Sequence, residues 1–239
     1  MERLDKLLAS TGRWSRSEVK RLVREGRVLA DGRIAASAED KYDAERVALV
    51  VNGGAVRLRK YVYIMLHKPA GVLSATEDGR GKTVLDLLPP EYQKRRLFPV
   101  GRLDKDTEGL LLLTDDGALA HELLSPKKHV DKVYYTRVDG ELNDGDCAAF
   151  AAGMTLGDGL MCLPAGLEIL SAGAESEALV TLHEGKFHQI KRMLAARGKP
   201  VLYLKRLSMG ALKLDEALAP GAWRELTENE RMSLRGESD

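Results

Sequence analysis

Cysteines, histidines and long apolar runs are all scarce in this chain of 239 residues. The two cysteines, Cys147 and Cys162, lack C-x-x-C spacing, so a disulfide or zinc framework is not expected. The five histidines are scattered and form no H-E-x-x-H or similar pattern, which argues against a metal site. No apolar stretch nears the roughly 20 residues that a membrane helix needs, and the charged start MERLDKLLAS lacks a signal-peptide core. We therefore expect a cytoplasmic protein with no membrane segment.

Charge is unevenly distributed along the chain, although the net charge is only +1. Residues 1–60 contain 14 Lys and Arg against 9 Asp and Glu, and residues 179–214 contain eight basic residues against one acidic residue. Residues 139–180 contain eight acidic residues and no basic one. Two basic segments and one acidic segment favour contact with a polyanion on one side of the molecule. Chance clustering on a mixed surface is the other explanation of the charges alone.

The first 60 residues have the pattern of a small separate module. Ser15 and Glu18 fit a capping box at the start of a helix that runs to about Glu25, and Gly26 suits a left-handed stop. Short β-prone pieces follow, in which Asp31-Gly32 fits a tight hairpin turn. We expect the module to end at the basic stretch 57–60.

A basic stripe runs along this helix. Its members lie three and four residues apart, which puts them on one helix face, and they are Arg13, Arg16, Lys20, Arg24 and Arg27. A solvated helix face would also explain such a stripe, but almost no acidic residues are interleaved with it. The helix-helix-hairpin order and the stripe together resemble the S4 RNA-binding domain, which has the α-L fold. The resemblance covers residues 1–58 and implies that the polyanion is RNA.

From about residue 61 the pattern changes to strands with a few helices between them. The segments that read as strands are YVYIMLHKP, LFPV, LLLLT, KVYYTRV, ALVTLHE and PVLYLKRLSMGALKL. The segments that read as helices are ALAHELLS, DGDCAAFAAGM and HQIKRMLAARG. This order predicts an α+β domain over residues 61–239, with a mixed, mainly antiparallel sheet.

Residues 101–117, GRLDKDTEGLLLLTDDG, place several charges directly before the most apolar run of the chain. A polar turn feeding a buried strand would explain them, since Asp, Lys and Gly are common in turns. A phosphotransfer loop of the D-x-D-x-T kind would use Asp104 as nucleophile and Asp106 as acid. That site needs an apolar strand running straight into the first aspartate, and Arg102 interrupts it. The third interpretation is a lone carboxylate, Asp104, that acts on a nucleoside.

Four motifs in order resemble the pseudouridine synthases, in the branch that modifies ribosomal RNA (the RsuA family). The motifs are HKPAGVLSAT at 67–76, GRLDKDTEGLLLLTDDG at 101–117, SPKKHVDKVYY at 125–135 and EGKFHQIKRML at 184–194. An attached S4 domain is typical of this branch, so the resemblance spans nearly the whole chain. His67 stands where relatives more often carry Asn or Asp, and this position is not a catalytic one. The resemblance implies a uridine isomerase that needs no cofactor or metal.

The resemblance also implies three catalytic roles. Asp104 would be the nucleophile, and it must be ionised to act. Lys191 would face Asp104, where an ion pair would favour the charged carboxylate. Tyr134 would stack on the target base, while Tyr135 would point to the opposite face of its strand.

Other residues are expected to bind RNA or to shape the loop. Arg102 would fill the gap in the RNA stack, since flipping a base out costs a few kcal/mol. The remaining expected RNA contacts are Lys186, His188, Gln189 and Arg192, with Arg13, Arg16, Lys20 and Arg24 in the S4 module. Turn and cap roles are expected for Asp106, Glu108, Asp115 and Asp116, and Leu110 to Leu113 would anchor the loop in the core.

Flanking segments favour one uridine of 16S ribosomal RNA as the target. The segment 125–135 and the ending LKRLSMGALKLDEALAPGAWRELTENE follow the small-subunit pattern, and no long basic tail follows residue 235. A 23S target is the alternative, and a non-catalytic ribosomal RNA-binding or assembly factor is an alternative of a different class. We expect a monomer that acts on ribosomal RNA, alone or in pre-ribosomal particles, with the acidic segment 139–180 away from the RNA.

Overall fold

The computed structural model describes residues 1–44, 46–56, 58, 60–125 and 128–236. Two compact units are present. The first unit comprises Met1–Val62 and Leu88–Leu97, and the second comprises Tyr63–Leu87 and the chain from Phe98 onward. The expected module boundary at 57–60 includes positions 57 and 59, which lie outside the described residues. The expected domain ranges 1–58 and 61–239 therefore stay a prediction.

The first unit contains three helices and six short strands within its described residues. The helices are α1 (Leu4–Ala9), α2 (Arg16–Arg24) and α3 (Pro90–Gln93). The strands are β1 (Glu2–Arg3), β2 (Val28–Ala30), β3 (Arg33–Ile34), β4 (Lys41–Tyr42), β5 (Leu49–Val51) and β6 (Gly54–Val56). One sheet has the order β3-β2-β5-β6, and β1 pairs with β4.

Local sequence signals explain where these elements begin and end. Ser15 Oγ accepts a hydrogen bond from the Glu18 backbone N–H, and the Glu18 carboxylate accepts one from the Ser15 N–H. This capping box satisfies N–H groups that a helix start leaves open. Gly26 follows α2 with a φ of 66°, and Asp31 and Gly32 turn the β2–β3 hairpin with φ of 50° and 78°. The predicted cap, stop and turn are all confirmed.

The basic stripe lies on the exposed side of α2 and its flanks, opposite the apolar residues that α2 buries. Three of its five members have no carboxylate within 4.0 Å among the described residues, namely Arg13, Arg16 and Arg24. Lys20 and Arg27 do have such partners, Glu39 at 3.9 Å and Glu25 at 3.4 Å. The stripe is therefore exposed, as expected, but part of its charge is neutralised. Glu39, which is distant in the sequence, pairs with Lys20, and Glu25, which follows the last residue of α2, pairs with Arg27.

The second unit is built on one large sheet. Its strands are β7 (Tyr63–Lys68), β8 (Phe98–Pro99), β9 (Glu108–Thr114), β10 (Lys132–Asp139), β13 (Gly166–Ser171), β14 (Glu175–Leu182), β15 (Val201–Met209), β16 (Leu212–Lys213) and β17 (Trp223–Glu225). A separate hairpin pairs β11 (Met154–Thr155) with β12 (Met161–Cys162). The helices are α4 (Gly117–Leu124), α5 (Asp144–Ala152), α6 (Gln189–Ala196) and α7 (Glu228–Arg235), and Val84–Leu87 form a 3₁₀ turn. No helix in the described ranges is long and apolar enough to cross a bilayer.

The order of the large sheet is β13-β14-β10-β15-β9-β7-β17, with β16 beside β15 and β8 beside β9. The β9–β15 pair is parallel, and the other pairs are antiparallel. This arrangement confirms the predicted α+β class with a mixed, mainly antiparallel sheet. The predicted helices are also present, as α4, α5 and α6.

Strand β9 explains the run of leucines. Leu110 to Leu113 are all fully buried, so side chains on both faces of the strand are covered by protein. A strand covered on both faces has an unbroken apolar run, whereas a half-exposed strand alternates. Strand β10 alternates in this way, and it buries Tyr134 while Tyr135 stays partly exposed. The leucines therefore anchor the charged loop that precedes them, as expected.

Gly109 allows the close approach of β9 to β15. A Cβ built at this position would lie 2.2 Å from the backbone oxygen of Arg206 and 2.6 Å from its backbone nitrogen. Gly109 also has a φ of 107°, a conformation that side chains disfavour. Arg206 is buried in turn, and its Nε donates to the Leu110 carbonyl at 2.8 Å. This contact joins the strand after the charged loop to the strand that follows α6.

We expect Gly109→Ala to destabilise the protein by about 2–5 kcal/mol, because a strained backbone and a clash with rigid main chain both oppose the new methyl group. Urea unfolding followed by circular dichroism measures the change. Gly157→Ala is the matched control, since nothing lies within 4 Å of its Cβ, and it should change stability by less than about 1 kcal/mol. Equal stability of the two variants would contradict this account of the strand contact.

Candidate active site

The charged loop that carries Asp104 is fixed at its start by Ser74. The Ser74 hydroxyl donates to the Leu103 carbonyl at 2.9 Å and accepts from the Leu103 N–H at 3.1 Å. Leu103 is itself buried in the core of the second unit. The Thr107 N–H donates to the Asp104 carbonyl at 3.1 Å, which closes a turn over residues 104–107. Asp104 is therefore presented by a turn that is anchored on both sides, and its side chain is 24% exposed.

Lys68 binds the backbone of this turn from the protein interior. Its side chain is fully buried, and its ammonium donates to the carbonyls of Pro69, Lys105 and Thr107 at 3.0, 3.2 and 2.8 Å. The Gly71 N–H donates to the Lys105 carbonyl as well, at 2.7 Å. The H-K-P-A-G stretch thus works as a clamp in which a lysine and a glycine N–H bind the backbone of the aspartate loop.

Burial lowers the pKa of Lys68 from its ordinary 10.5 to about 8, although the nearby carboxylates of Asp106 and Asp104 oppose the shift. The charged form therefore costs about 3 kcal/mol more in the folded protein than in water. The buried ammonium has a structural function here, because an apolar side chain has no donor for the three carbonyl oxygens.

Lys191 reaches the loop from helix α6. Ile190, Met193 and Leu194 are buried at positions i, i+3 and i+4 of this helix, so the adjacent Lys191 points away from that core. Its Nζ lies 3.2 Å from Asp104 Oδ2 and 2.5 Å from Asp106 Oδ1. The predicted pairing of Lys191 with Asp104 is therefore present in the structure.

Asp106 lies in the turn over residues 104–107, as expected, and its carboxylate also shares the Lys191 ammonium. The hydrogen bond from Lys191 lowers the pKa of Asp106. Burial works against the charge of Lys191, but the hydrogen bonds that its ammonium donates to Asp106 and Asp104 outweigh burial and raise the pKa of Lys191. The three groups therefore form one charged cluster, in which Asp106 is the more exposed carboxylate at 75% against 24% for Asp104.

Glu108 and Asp116, also expected as turn and cap residues, differ from each other. Asp116 is the N-cap of α4 and accepts from the Leu119 N–H at 3.2 Å, so its cap role is confirmed. Glu108 instead begins β9 and accepts a hydrogen bond of 2.7 Å from the Tyr203 hydroxyl. Strand pairing across the sheet gave Glu108 this partner, 95 residues away.

His188 completes the surroundings of Asp104. Its Nε2 lies 3.5 Å from Asp104 Oδ1. Its backbone has a φ of 49°, a left-handed conformation that costs a residue with a side chain about 1–2 kcal/mol. Gln189 supports this conformation, because its Oε1 accepts from the Lys186 N–H and its Nε2 donates to Glu184 Oε1 at 3.1 and 2.8 Å. Strained backbone of this kind is often retained where it positions a functional group.

A cleft opens beside these groups. Charged and polar side chains line one part of it, namely Arg102, Asp104, Thr107, Lys186, His188, Gln189 and Lys191. Tyr134, Leu103, Leu182, Ile190 and Leu204 supply an apolar part. Tyr134 is only 8% exposed, so its ring is held by packing. An aromatic and aliphatic wall facing one carboxylate and several cations suits a flat, uncharged heterocycle that is attached to an anionic chain.

Arg192 was expected to contact RNA, but it does not line the cleft. Its guanidinium lies 2.5 Å from Asp158. Lys186 lines the cleft but is also held, with Nζ 2.9 Å from Glu184 Oε2 and a hydrogen bond to the Met161 carbonyl. Part of the acidic segment therefore lies beside α6, because the loop before β12 folds back onto the helix.

Sequence reasoning missed the roles of Lys68 and Ser74. Lys68 ends the apolar strand β7, and a lysine in such a position is an available signal of a buried, bound cation. Ser74 offers no comparable signal, because a serine in a turn-rich loop is ordinary. His188 was expected to contact RNA, and its approach to Asp104 depends on a backbone conformation that sequence patterns do not reveal.

The fold and the cleft suit the class of enzymes that act on a heterocycle with one carboxylate, and the chain also carries a small basic module. Comparison with known proteins identifies the class. The model of the RNA pseudouridylate synthase family matches residues 62–196, and the S4 domain model matches residues 2–47. The chain belongs to the RNA pseudouridylate synthase family, whose members are isomerases, and it carries an S4 domain.

Relatives match over nearly their full length. An uncharacterized RNA pseudouridine synthase of Bacillus subtilis, YtzG, is 49% identical over 95% of this chain and 96% of its own. The ribosomal small subunit pseudouridine synthase A of Vibrio cholerae is 41% identical over 97% and 99%. The ribosomal large subunit pseudouridine synthase B of Bacillus subtilis is 37% identical over 100% and 98%.

A solved structure agrees with the fold. The crystal structure of a pseudouridylate synthase superposes with a TM-score of 0.68 at 34% identity, and the match covers 98% of this chain and 100% of that one. The resemblance inferred from four short motifs is therefore confirmed at the level of family and fold.

We expect Lys68→Met to slow pseudouridine formation by roughly 100-fold, because the three carbonyls of the aspartate loop lose their common donor and the loop shifts. Overall stability at pH 7 should fall by about 1–3 kcal/mol, since the buried carbonyls lose their donor while the cost of burying the cation also disappears. Single-turnover rates and urea unfolding measure the two effects. Lys82→Met, a change of an exposed lysine in the same unit, is the control and should alter neither.

The pH dependence of stability gives a second test of Lys68. Between about pH 8 and 10.5 the folded protein has already lost this proton while the unfolded chain still binds it, so the free energy of unfolding rises with pH. From pH 7 to pH 9.5 the wild type should gain about 2 kcal/mol relative to Lys68→Met. An unchanged difference between the two proteins at these pH values would show that Lys68 is not held as described.

Proposed function

We propose that this enzyme converts one uridine of 16S ribosomal RNA into pseudouridine, with Asp104 as its nucleophile. The observation that carries the proposal is the contact of Asp104 with the Lys191 ammonium, 3.2 Å away, at the edge of a cleft with an aromatic wall. The reaction breaks the bond between N1 and C1′, turns the uracil and joins C5 to C1′, while C5 loses its proton and N1 gains one. The product is an isomer of the substrate, so the overall reaction consumes no oxidant, reductant or energy source.

Asp104 is the group in the cleft best suited to begin this reaction. The Lys191 ammonium lies 3.2 Å from its carboxylate, and an ionised carboxylate can act as a nucleophile. Attack on the sugar, attack on the base and removal of a sugar proton all require that ionised form. Lys68 supports the position of Asp104 through the loop backbone, from a site that a substrate does not reach.

Tyr134 and Arg102 would receive the flipped nucleotide. The Tyr134 ring is held within the apolar wall, where a uracil could stack at a gain of about 1–3 kcal/mol. Arg102 lines the same cleft two residues before Asp104, and its planar cation would occupy the gap in the RNA stack. Lys186, His188 and Gln189 would contact the nucleotide or its phosphates at the cleft, while Arg192 would have to leave Asp158 to do so.

The S4 unit would supply affinity for RNA. Exposed Arg13, Arg16 and Arg24, which lack carboxylate partners among the described residues, offer charge for phosphate contacts, with Lys20 beside them. Such contacts position RNA but carry little sequence information. Selection of one uridine would then come from the catalytic unit and from the shape of the RNA.

The small-subunit target has support from the relatives and from the sequence. The Vibrio cholerae relative named as acting on the small subunit is 41% identical to this chain, while the large-subunit relative of Bacillus subtilis is 37% identical. The ending after β15 also follows the small-subunit pattern. Of the other features used, Pro126, Lys127 and residues 237–239 lie outside the described part of the chain. An RNA substrate of this kind would be met by a cytoplasmic enzyme, which we expect to act as a monomer.

A 23S target is the second candidate. The large-subunit relative matches the whole of this chain, so the catalytic fold alone does not separate the two substrates. Sequence-specific proteins usually read RNA at splayed loop bases. The difference between the two targets would therefore lie in residues that contact the bases flanking the uridine.

Asp104→Asn should reduce pseudouridine formation by at least roughly 10³-fold with nearly unchanged RNA affinity, because an amide cannot act as the carboxylate. Asp106→Asn should stay within about tenfold of wild type, since Lys191 would keep Asp104 as its partner. Carbodiimide mapping on ribosomal RNA transcripts and a filter-binding assay measure both properties. Similar losses in the two variants would mean that the nucleophile is wrongly assigned.

Deletion of the gene should remove one pseudouridine from 16S RNA and leave every 23S site intact. Primer extension after carbodiimide treatment of both RNAs measures this, and a plasmid carrying the wild-type chain should restore the site while Asp104→Asn should not. Loss of a 23S site alone would exclude the small-subunit proposal. Loss of no site, with an inactive purified protein, would favour a non-catalytic ribosomal RNA-binding or assembly factor.

A further inference from the structure

Phe187 is the most exposed aromatic ring near the cleft. The residue is 73% exposed, although a phenyl side chain is normally buried. It lies between two residues that line the cleft, Lys186 and His188, but its own side chain is not part of the lining. Phe187 therefore stands at the rim, and its ring is not the one that would hold the target base.

The Phe187 ring is oriented by its neighbour. It stacks on the His188 imidazole with the ring centroids 3.8 Å apart and the ring planes 17° from parallel. One face of the phenyl ring is thus covered, and the high exposure of the residue leaves the other face open. His188 in turn approaches Asp104, with 3.5 Å between Nε2 and Oδ1. A continuous path of contacts joins the exposed ring to the candidate nucleophile.

The segment that carries Phe187 is held by hydrogen bonds. The Lys186 N–H donates to Gln189 Oε1, and the Gln189 N–H donates to the Lys186 carbonyl at 3.2 Å, so residues 186–189 close on themselves. The Gln189 side chain is tied to Glu184, which also accepts from the Leu163 N–H at 2.8 Å. Hydrogen bonds therefore hold the backbone on either side of Phe187, and the stack on His188 orients its ring.

We propose that Phe187 stacks on the base next to the target uridine and so helps to select the site. The proposal rests on the function proposed above, since it requires an RNA with one nucleotide in the cleft. Flipping that nucleotide separates it from both flanking bases, and Phe187 would cover the flanking base that Arg102 leaves open. An exposed aromatic face at the rim of the cleft suits the nucleobase next to the target uridine, because it offers a flat surface on which a base can stack.

This assignment separates two aromatic roles within one site. Tyr134 would bind the uracil that reacts, and its loss should affect the chemical step. Phe187 would bind a neighbour that does not react, so its loss should weaken the productive complex. A flanking base that stacks poorly would also be disfavoured, which gives the enzyme a preference outside the cleft.

The test uses a synthetic RNA hairpin that contains the uridine identified by mapping. Phe187→Ala should raise KM by roughly 5- to 150-fold, the equivalent of about 1–3 kcal/mol of base stacking, with a smaller change in kcat. Phe187→Trp should restore most of the loss, because only a flat ring face is required. Leu170→Ala, at another exposed apolar residue of the same unit, is the matched control and should leave KM unchanged.

A hairpin with an abasic neighbour identifies the partner of the ring. Replacing the stacked base should raise KM for the wild type as Phe187→Ala does, and Phe187→Ala should show no further loss on that RNA. In the Asp104→Asn background, 2-aminopurine at the 5′ or the 3′ neighbour should lose fluorescence on binding at one of the two positions. That loss should disappear when Phe187→Ala is added.

Distinct outcomes separate this inference from the function on which it rests. An active wild type whose Phe187→Ala variant has the same KM, or shows the same 2-aminopurine signal, overturns the stacking role alone. A loss that Phe187→Trp fails to restore, together with a lowered melting temperature, would mean that the ring is structural and also overturns it. A wild type that modifies neither ribosomal RNA removes the proposed function itself.

Discussion

The site depends on one buried cation that binds the backbone of one loop. Lys68 lies at the end of a fully covered strand and donates to three carbonyls, two of them in the turn that carries Asp104. A loop of charged residues would otherwise be mobile and solvated. The lysine holds the backbone of this loop at the cost of burying a charge, and the Asp104 carboxylate faces the cleft.

The positions of the charged side chains on this loop follow from its backbone conformation. Asp104 and Asp106 both point towards Lys191, so one cation offsets two anions, and His188 approaches the first of them. The less exposed carboxylate faces the apolar wall with Tyr134, while the more exposed one faces solvent. Two similar residues two positions apart thus acquire different surroundings, and only Asp104 lines the cleft.

The parallel contact of β9 with β15 brings the distant parts of the site together. Gly109 lets the strand after the loop meet the strand after α6, and Arg206 binds the Leu110 carbonyl beneath them. Helix α6, between β14 and β15, therefore directs Lys191 at a loop 85 residues earlier in the chain. Local sequence patterns do not predict that Lys191 lies close to the charged loop. The apolar pattern of a strand shows which of its faces is buried, but it does not show which other strand it pairs with.

The sequence by itself determined the family, the fold class, the capping box at Ser15 and the turn at Asp31-Gly32, since these follow from short-range patterns and motifs. Only the tertiary structure decided that Asp106 shares Lys191, that Asp158 holds Arg192 and that Glu39 reaches Lys20. Ion pairs between residues far apart in the chain depend on how strands and helices pack. Spacing in the sequence fixes which side of an element a charge lies on, whereas packing alone fixes which opposite charge comes within 4 Å of it.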